Sequence, residues 1–167
     1  MAHQNPTCPS PPHRLVPFVY VADVRTSLEF YGLLGFVTRS TLRDDDGRVN
    51  WAWAETPGPR KAQLMFSRTW RPIVPGHQDI FFYVYTLNLR ALRDHLLAHG
   101  VQDGGPAHAW EPAAGEPRRT RTLFAVHHPP YMPQGEFRLH DADGYCLLIG
   151  QLDEPVHGGA EPAGGVP

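Results

Sequence analysis

The feature that most narrows what this chain can fold into is an order of punctuation that occurs twice. Moving along by 65 residues, from Asp23 to Asn88, also lays Val19 and Tyr20 on Val84 and Tyr85, Val24 on Leu89, Arg25 on Arg90, Gly35 on Gly100 and Phe36 on Val101. Each copy reads strand, Asx cap, helix, glycine stop. Asp23 and Asn88 can accept hydrogen bonds from the first free N–H groups of a helix, and Gly35 and Gly100 can take the left-handed conformation that ends one. Between them Val24, Leu28, Tyr31 and Leu34 recur at helical spacing, as do Leu89, Leu92, Leu96 and Leu97. Strand character follows each helix, over 37–42, 49–55 and 62–67 and then over 122–127, 136–140 and 145–151. The pattern predicts two βαβββ modules.

The second module closes with Gly135-Glu136-Phe137-Arg138-Leu139-His140-Asp141-Ala142-Asp143-Gly144-Tyr145-Cys146-Leu147-Leu148-Ile149-Gly150. Two alternating runs flank Asp-Ala-Asp-Gly, which suits a tight hairpin. Together with the segment from Val21 to Phe36, this stretch resembles the vicinal oxygen chelate superfamily, the glyoxalase and bleomycin-resistance group. It is most like the bleomycin-resistance branch in its Glu-Phe and Asp-Gly-Tyr strands. The resemblance implies an α+β fold in which two βαβββ modules form a cup-shaped mixed β-sheet with helices on the outer face. It also implies a homodimer with ligand clefts at the subunit interface. It selects no activity, because the group includes metal-dependent isomerases, lyases, ring-cleaving dioxygenases and metal-free drug-binding proteins.

A chain of 167 residues fits one domain of ordinary size. The expected layout is a structured part over 15–152, with module one over 15–67, a linker over 68–78 and module two over 79–152. The segments 1–14 and 153–167 are rich in Pro, Gly, Ala and Ser and read as disordered tails. An interruption over 102–119, carrying several Pro and Gly residues and Trp110, reads as an inserted loop. The net charge of -2 points to no polyanion or membrane surface, so nucleic acid and membrane are not expected partners. No signal peptide or membrane span is apparent, and Cys8 and Cys146 make no disulfide framework, so a cytoplasmic location is expected.

The metal question turns on four positions. In metal-binding members of the superfamily a histidine opens the first strand of a module and a glutamate sits in its fourth strand. Counted from the Asx caps and the fourth strands, those positions hold Val16, Phe81, Met65 and Leu148. None offers the imidazole nitrogen or carboxylate oxygen that Zn, Ni, Fe or Mn requires, so no metal and no other cofactor is expected. The histidines to watch for a displaced centre are His77, His127, His128 and His140.

Alternation assigns the cup instead. Residues in register with those four positions point into it: Phe18 and Tyr20, Gln63 and Met65, Phe81, Tyr83 and Tyr85, and Leu148. Trp51 and Trp53 share one face while Ala52 and Ala54 share the other, and small alanines suit the side covered by a helix. Glu136, Arg138 and His140 fall in the cup if Phe137 and Leu139 pack beneath the helix. The expectation is a metal-free protein that binds an aromatic or planar small molecule in an aromatic-lined cleft. The alternatives are a glyoxalase-like lyase, isomerase or dioxygenase with displaced ligands, and a structural or interaction module whose cup is filled by its own side chains.

Overall fold

The computed structural model describes residues 14–59, 61–75, 80–106 and 119–152. The expected tails, apart from Arg14, lie outside these residues, as do His77 and most of the loop expected over 102–119, Trp110 included. The chain divides into two compact units, Met1–Pro72 and Ile73–Pro167. The fold is α+β, with one mixed sheet in each unit and no closed barrel.

The first unit runs β1 (Phe18–Val21), α1 (Val24–Gly32), β2 (Val37–Arg43), β3 (Val49–Glu55) and β4 (Gln63–Arg68). Its strands lie in the order β1-β4-β3-β2, with β1 parallel to β4 and the other neighbours antiparallel. A parallel first and last strand cannot be joined by a short turn, so the chain must cross over, and α1 makes that crossing. Asp23 starts the helix by accepting from Thr26 N at 2.7 Å. It ends with Phe36 N donating to Tyr31 O across Gly35, whose φ of 83° favours glycine.

The second unit runs β5 (Phe81–Thr86), α2 (Leu89–Ala98), β6 (Gln102–Asp103), β7 (Thr122–Leu123), β8 (Glu136–His140) and β9 (Cys146–Gln151), ordered β5-β9-β8-β7-β6. β5 and β9 are again parallel. Asn88 caps α2 through Ala91 N at 3.0 Å, and Val101 N donates to Leu96 O across Gly100, which has φ 82°. The repeat read in the sequence is therefore a repeat of hydrogen bonds. Both units also use one hairpin turn. In Asp44-Asp45-Asp46-Gly47 and in Asp141-Ala142-Asp143-Gly144 the first Asp side chain accepts from the residue after the glycine, Arg48 N at 2.8 Å and Tyr145 N at 2.9 Å.

Each helix covers one face of its sheet. Val19, Val21, Ala52, Ala54, Leu64 and Phe66 are buried with Val24, Phe30 and Tyr31 of α1, and the Tyr31 ring meets Phe30, Phe36 and Phe66. Leu28 and Leu34 are only half-buried, since Ser27 and Phe30 take the inward positions. In the second unit Phe82, Phe137, Leu139, Leu147 and Ile149 are buried with Leu89 and Leu96, while Leu92 and Leu97 stay half-buried.

Two local expectations change. Gln102 and Asp103, placed at the start of an inserted loop, form β6 alongside β7. The strand expected over 122–127 keeps regular pairing only at Thr122 and Leu123, because one extra residue lies between the Leu123–Leu139 pair and the His127–Glu136 bridge. Such a bulge bends the strand and re-aims its side chains. Among the described residues no helix is long and apolar enough to cross a membrane.

Phe137 is fully buried on the helix-covered face. Phe137→Ala is expected to lower unfolding free energy in urea by about 3–5 kcal/mol, the usual cost of emptying a buried phenylalanine site. A loss below about 1 kcal/mol would show that the face is loosely packed.

Candidate functional site

The faces opposite the helices carry the candidate residues, and strand register sets them in rows. In the first unit Phe18 lies opposite Met65 and Met65 opposite Trp53; Tyr20 lies opposite Ser67 and Ser67 opposite Trp51; Gln63 lies opposite Glu55. In the second unit Tyr83 lies opposite Leu148 and Leu148 opposite Arg138; Tyr85 and Glu136 flank Gly150; Phe81 and His140 flank Cys146. Met65 and Leu148 thus hold matching places beside the outermost strand of each sheet.

Exposure divides these residues. Phe18, Tyr20, Phe81, Tyr83 and Tyr85 keep between 38% and 57% of their surface exposed, too much for core side chains. Phe18 and Tyr20 meet edge to face at 5.8 Å, and the rings of Tyr83 and Tyr85 lie 5.0 Å apart. Trp51, Trp53, Gln63, Met65, Arg138 and Leu148 are half-buried. Among the described residues the buried indole nitrogen of Trp53 finds no acceptor. Glu136 and His140 are fully buried, His140 with its Nδ1 2.9 Å from Arg119 O and its ring against Phe124.

Each open face contains a buried carboxylate, and the two are held differently. Glu55 accepts from Arg39 Nε at 2.8 Å, Lys61 Nζ at 2.7 Å and Gln63 Nε2 at 2.7 Å. The bonds from Lys61 and Gln63, with Arg39 adding to them, outweigh desolvation and hold its carboxyl down at about 2. Arg39 reaches it from the bulge between Thr38 and Ser40 in β2. Glu136 is instead met by two phenols and an imidazole. Tyr83 Oη donates to Oε2, Tyr131 Oη donates to Oε1 at 2.9 Å, and His127 Nε2 lies 3.1 Å from Oε1. Burial and the bond to Glu136 push the Tyr83 hydroxyl up, and the same bond, ahead of burial, pushes up Tyr131.

Tyr131 and His127 were not among the candidates that alternation selected. They come from the irregular stretch between Phe124 and Gly135, where period two says nothing. Two concavities lie elsewhere. One of about 700 Å³ adjoins the start of α2, with Arg90, Arg93 and His128 in its wall. Another of about 730 Å³ is lined by Arg25, Arg43, Arg48 and Arg68. Neither of these two is walled by the exposed aromatic rings.

No family model and no curated protein matches the sequence. Solved structures do. The chain superposes on a bleomycin resistance determinant encoded on the transposon Tn5 with a TM-score of 0.58 and 19% identity, over 86% of this chain and 100% of that one. A bleomycin-binding protein complexed with bleomycin gives 0.57 and 20% identity, over 85% and 100%. A glyoxalase-related enzyme from Clostridium phytofermentans gives 0.59 and 12%, over 86% and 97%. The chain has the fold of these proteins.

In that fold the residues at the expected metal positions do not fit a metal ion. Met65 stands between Phe18 and Trp53 and Leu148 between Tyr83 and Arg138, and neither they nor Val16 and Phe81 offer an imidazole nitrogen or a carboxylate oxygen. Among the described residues no three His, Cys, Asp or Glu side chains gather as ligands. Of the watched histidines, His127 turns to Glu136, His128 Nδ1 sits 3.0 Å from Pro133 O, and His140 turns to Arg119.

The Glu55 network carries a pH signature. A carboxyl held below its ordinary value near 4.5 contributes stability that is fully present above that value. The contribution is lost as pH falls toward about 2. Acid unfolding followed by circular dichroism is therefore expected to be shallower between these limits in Glu55→Gln than in the parent chain. Superimposable acid limbs would count against the network.

Proposed function

We propose that this chain binds a planar, aromatic small molecule against the aromatic faces of its sheets that α1 and α2 leave uncovered, without a resident metal or other cofactor. The observation that carries the reading is the set of exposed rings, Phe18, Tyr20, Phe81, Tyr83 and Tyr85, on strand positions facing away from the helices. Large apolar surface of this kind is unfavourable in water unless something covers it. Polar groups stand among the rings, including Gln63, Ser67 and Arg138, which suits a ligand site better than a dry core. The likeness to proteins described as binding bleomycin supports the same reading.

The site residues under this reading are Phe18, Tyr20, Trp51, Trp53, Gln63, Met65, Phe81, Tyr83, Tyr85, Glu136, Arg138, His140 and Leu148. The nearly balanced charge argues against a strongly cationic ligand such as bleomycin itself. Two copies pair, each covering part of the other's exposed apolar surface, and the protein works in the cytoplasm with neither nucleic acid nor membrane as partner.

Planar compounds are expected to quench tryptophan fluorescence saturably. Trp51→Ala and Trp53→Ala should each weaken binding by about 0.5–1.5 kcal/mol while leaving the fold intact. If no planar compound quenches and both variants unfold like core mutants, the tryptophans are packing residues and the binding reading fails. If elemental analysis of tag-free protein finds stoichiometric Zn, Ni, Fe or Mn, the metal-free part fails. Light scattering at micromolar concentration should return twice the mass of one chain, and a monomer there would remove the dimer.

A further inference from the structure

Glu136 has no exposed surface, so a molecule on the open face of the second unit meets it only through the side chains above it. Those are Tyr83 on β5 and Tyr131 in the turn after Pro130, residues that are 38% and 66% exposed. Both hydroxyls donate to the buried carboxylate, Tyr83 to one oxygen and Tyr131 to the other, and His127 Nε2 completes the set at 3.1 Å. A phenol has one proton to give. Once it points at Glu136, the phenol oxygen keeps only acceptor lone pairs for anything else. Turning that proton outward would leave a buried carboxylate short of a donor, which is costly.

Resting on the binding reading proposed above, we propose that Glu136 makes this face selective for ligands bearing hydrogen-bond donors, by accepting the hydroxyl hydrogen bonds of Tyr83 and Tyr131. Glu136 is then a positioning residue, and the two phenol oxygens are the acceptors that touch the ligand. The ligand class is a planar aromatic with an amine, amide N–H or hydroxyl at its edge. The upward shift of both phenols agrees with protons that are held. Close by, Gly150 keeps the floor low, since a Cβ there would stand 3.0 Å from the Tyr83 ring and 3.1 Å from Met132 Cε. Arg138, two residues along the same face, is the group that would favour acceptors instead; its Nε and Nη1 are buried.

Three probes with one ring system separate the possibilities by titration calorimetry on the full chain. 9-Aminoacridine brings N–H donors, 10-methylacridinium brings the positive charge without an N–H, and acridine at pH 8 brings only an acceptor. 9-Aminoacridine is expected to bind about fivefold tighter than either of the others, the span of one net hydrogen bond. Tyr83→Phe and Tyr131→Phe should each reduce that margin to about twofold or less. Glu136→Gln, which can donate its amide N–H to one phenol oxygen and release that phenol's proton, should do the same with both phenols in place. Thermal melts of the two Phe variants confirm that they are folded.

Equal binding of 9-aminoacridine and 10-methylacridinium would show that charge, not donation, decides, and would overturn the proposal. Tighter binding of acridine would assign the polarity to Arg138 and overturn it as well. A margin unchanged in both Phe variants would place the donor contact elsewhere. If none of the three binds, the small-molecule reading itself falls, an outcome distinct from binding without preference.

Discussion

Parallel pairing of the first and last strand in each unit, β1 with β4 and β5 with β9, is the constraint from which the remaining structure follows. Strands that run the same way need a long crossover, and a helix is the compact way to make it. The helix lies on one face of its own sheet, and alternation then sorts each strand. Val19, Val21, Ala52, Ala54, Leu64 and Phe66 go beneath α1, and Phe18, Tyr20, Trp51, Trp53 and Met65 go to the other side. The alanines of β3 sit under the helix because its side chains leave little room there. The bulky tryptophans are left for the face without a helix.

That division explains why the chemistry collects where it does. An open sheet face can carry polar groups that a helix-covered face would leave without partners. Even so, both units bury a carboxylate there, and each is supplied with donors. Glu55 is held by charged and amide nitrogens from β2, β4 and the residues before β4, a network suited to fastening strands together. Glu136 is held by phenols whose rings remain exposed, so what fastens it also reaches the surface. The same residue type serves cohesion in one unit and organises a surface in the other, because its donors differ.

Which residues share the candidate face was legible wherever strand periodicity ran unbroken. Phe81, Tyr83, Tyr85, Arg138 and Leu148 take the face that alternation gave them, since a pleated strand turns successive side chains to opposite sides. Legibility failed in two ways. Alternation says which face a residue takes but not how deeply it lies, so Glu136 and His140, counted with the cleft residues, proved fully buried. It also says nothing about Tyr131 and His127, which reach Glu136 from a bulged strand and a proline-bounded turn without any period.

What the sequence alone determined about this protein is local: where each helix starts and stops, where the hairpins turn, and which residues share a strand face. Asp23 with Thr26, Asn88 with Ala91 and Asp141 with Tyr145 are bonds between residues three or four apart, and the residue types required for them can be read in order. Only the tertiary structure decided that Tyr83 and Tyr131 share one carboxylate, and that β6 pairs with β7. Tyr83 and Glu136 are 53 positions apart, and their contact depends on β9 lying between their strands. Bonds across such separations are set by sheet order and by a one-residue shift in pairing, neither of which leaves a mark in the spacing of residues along the chain.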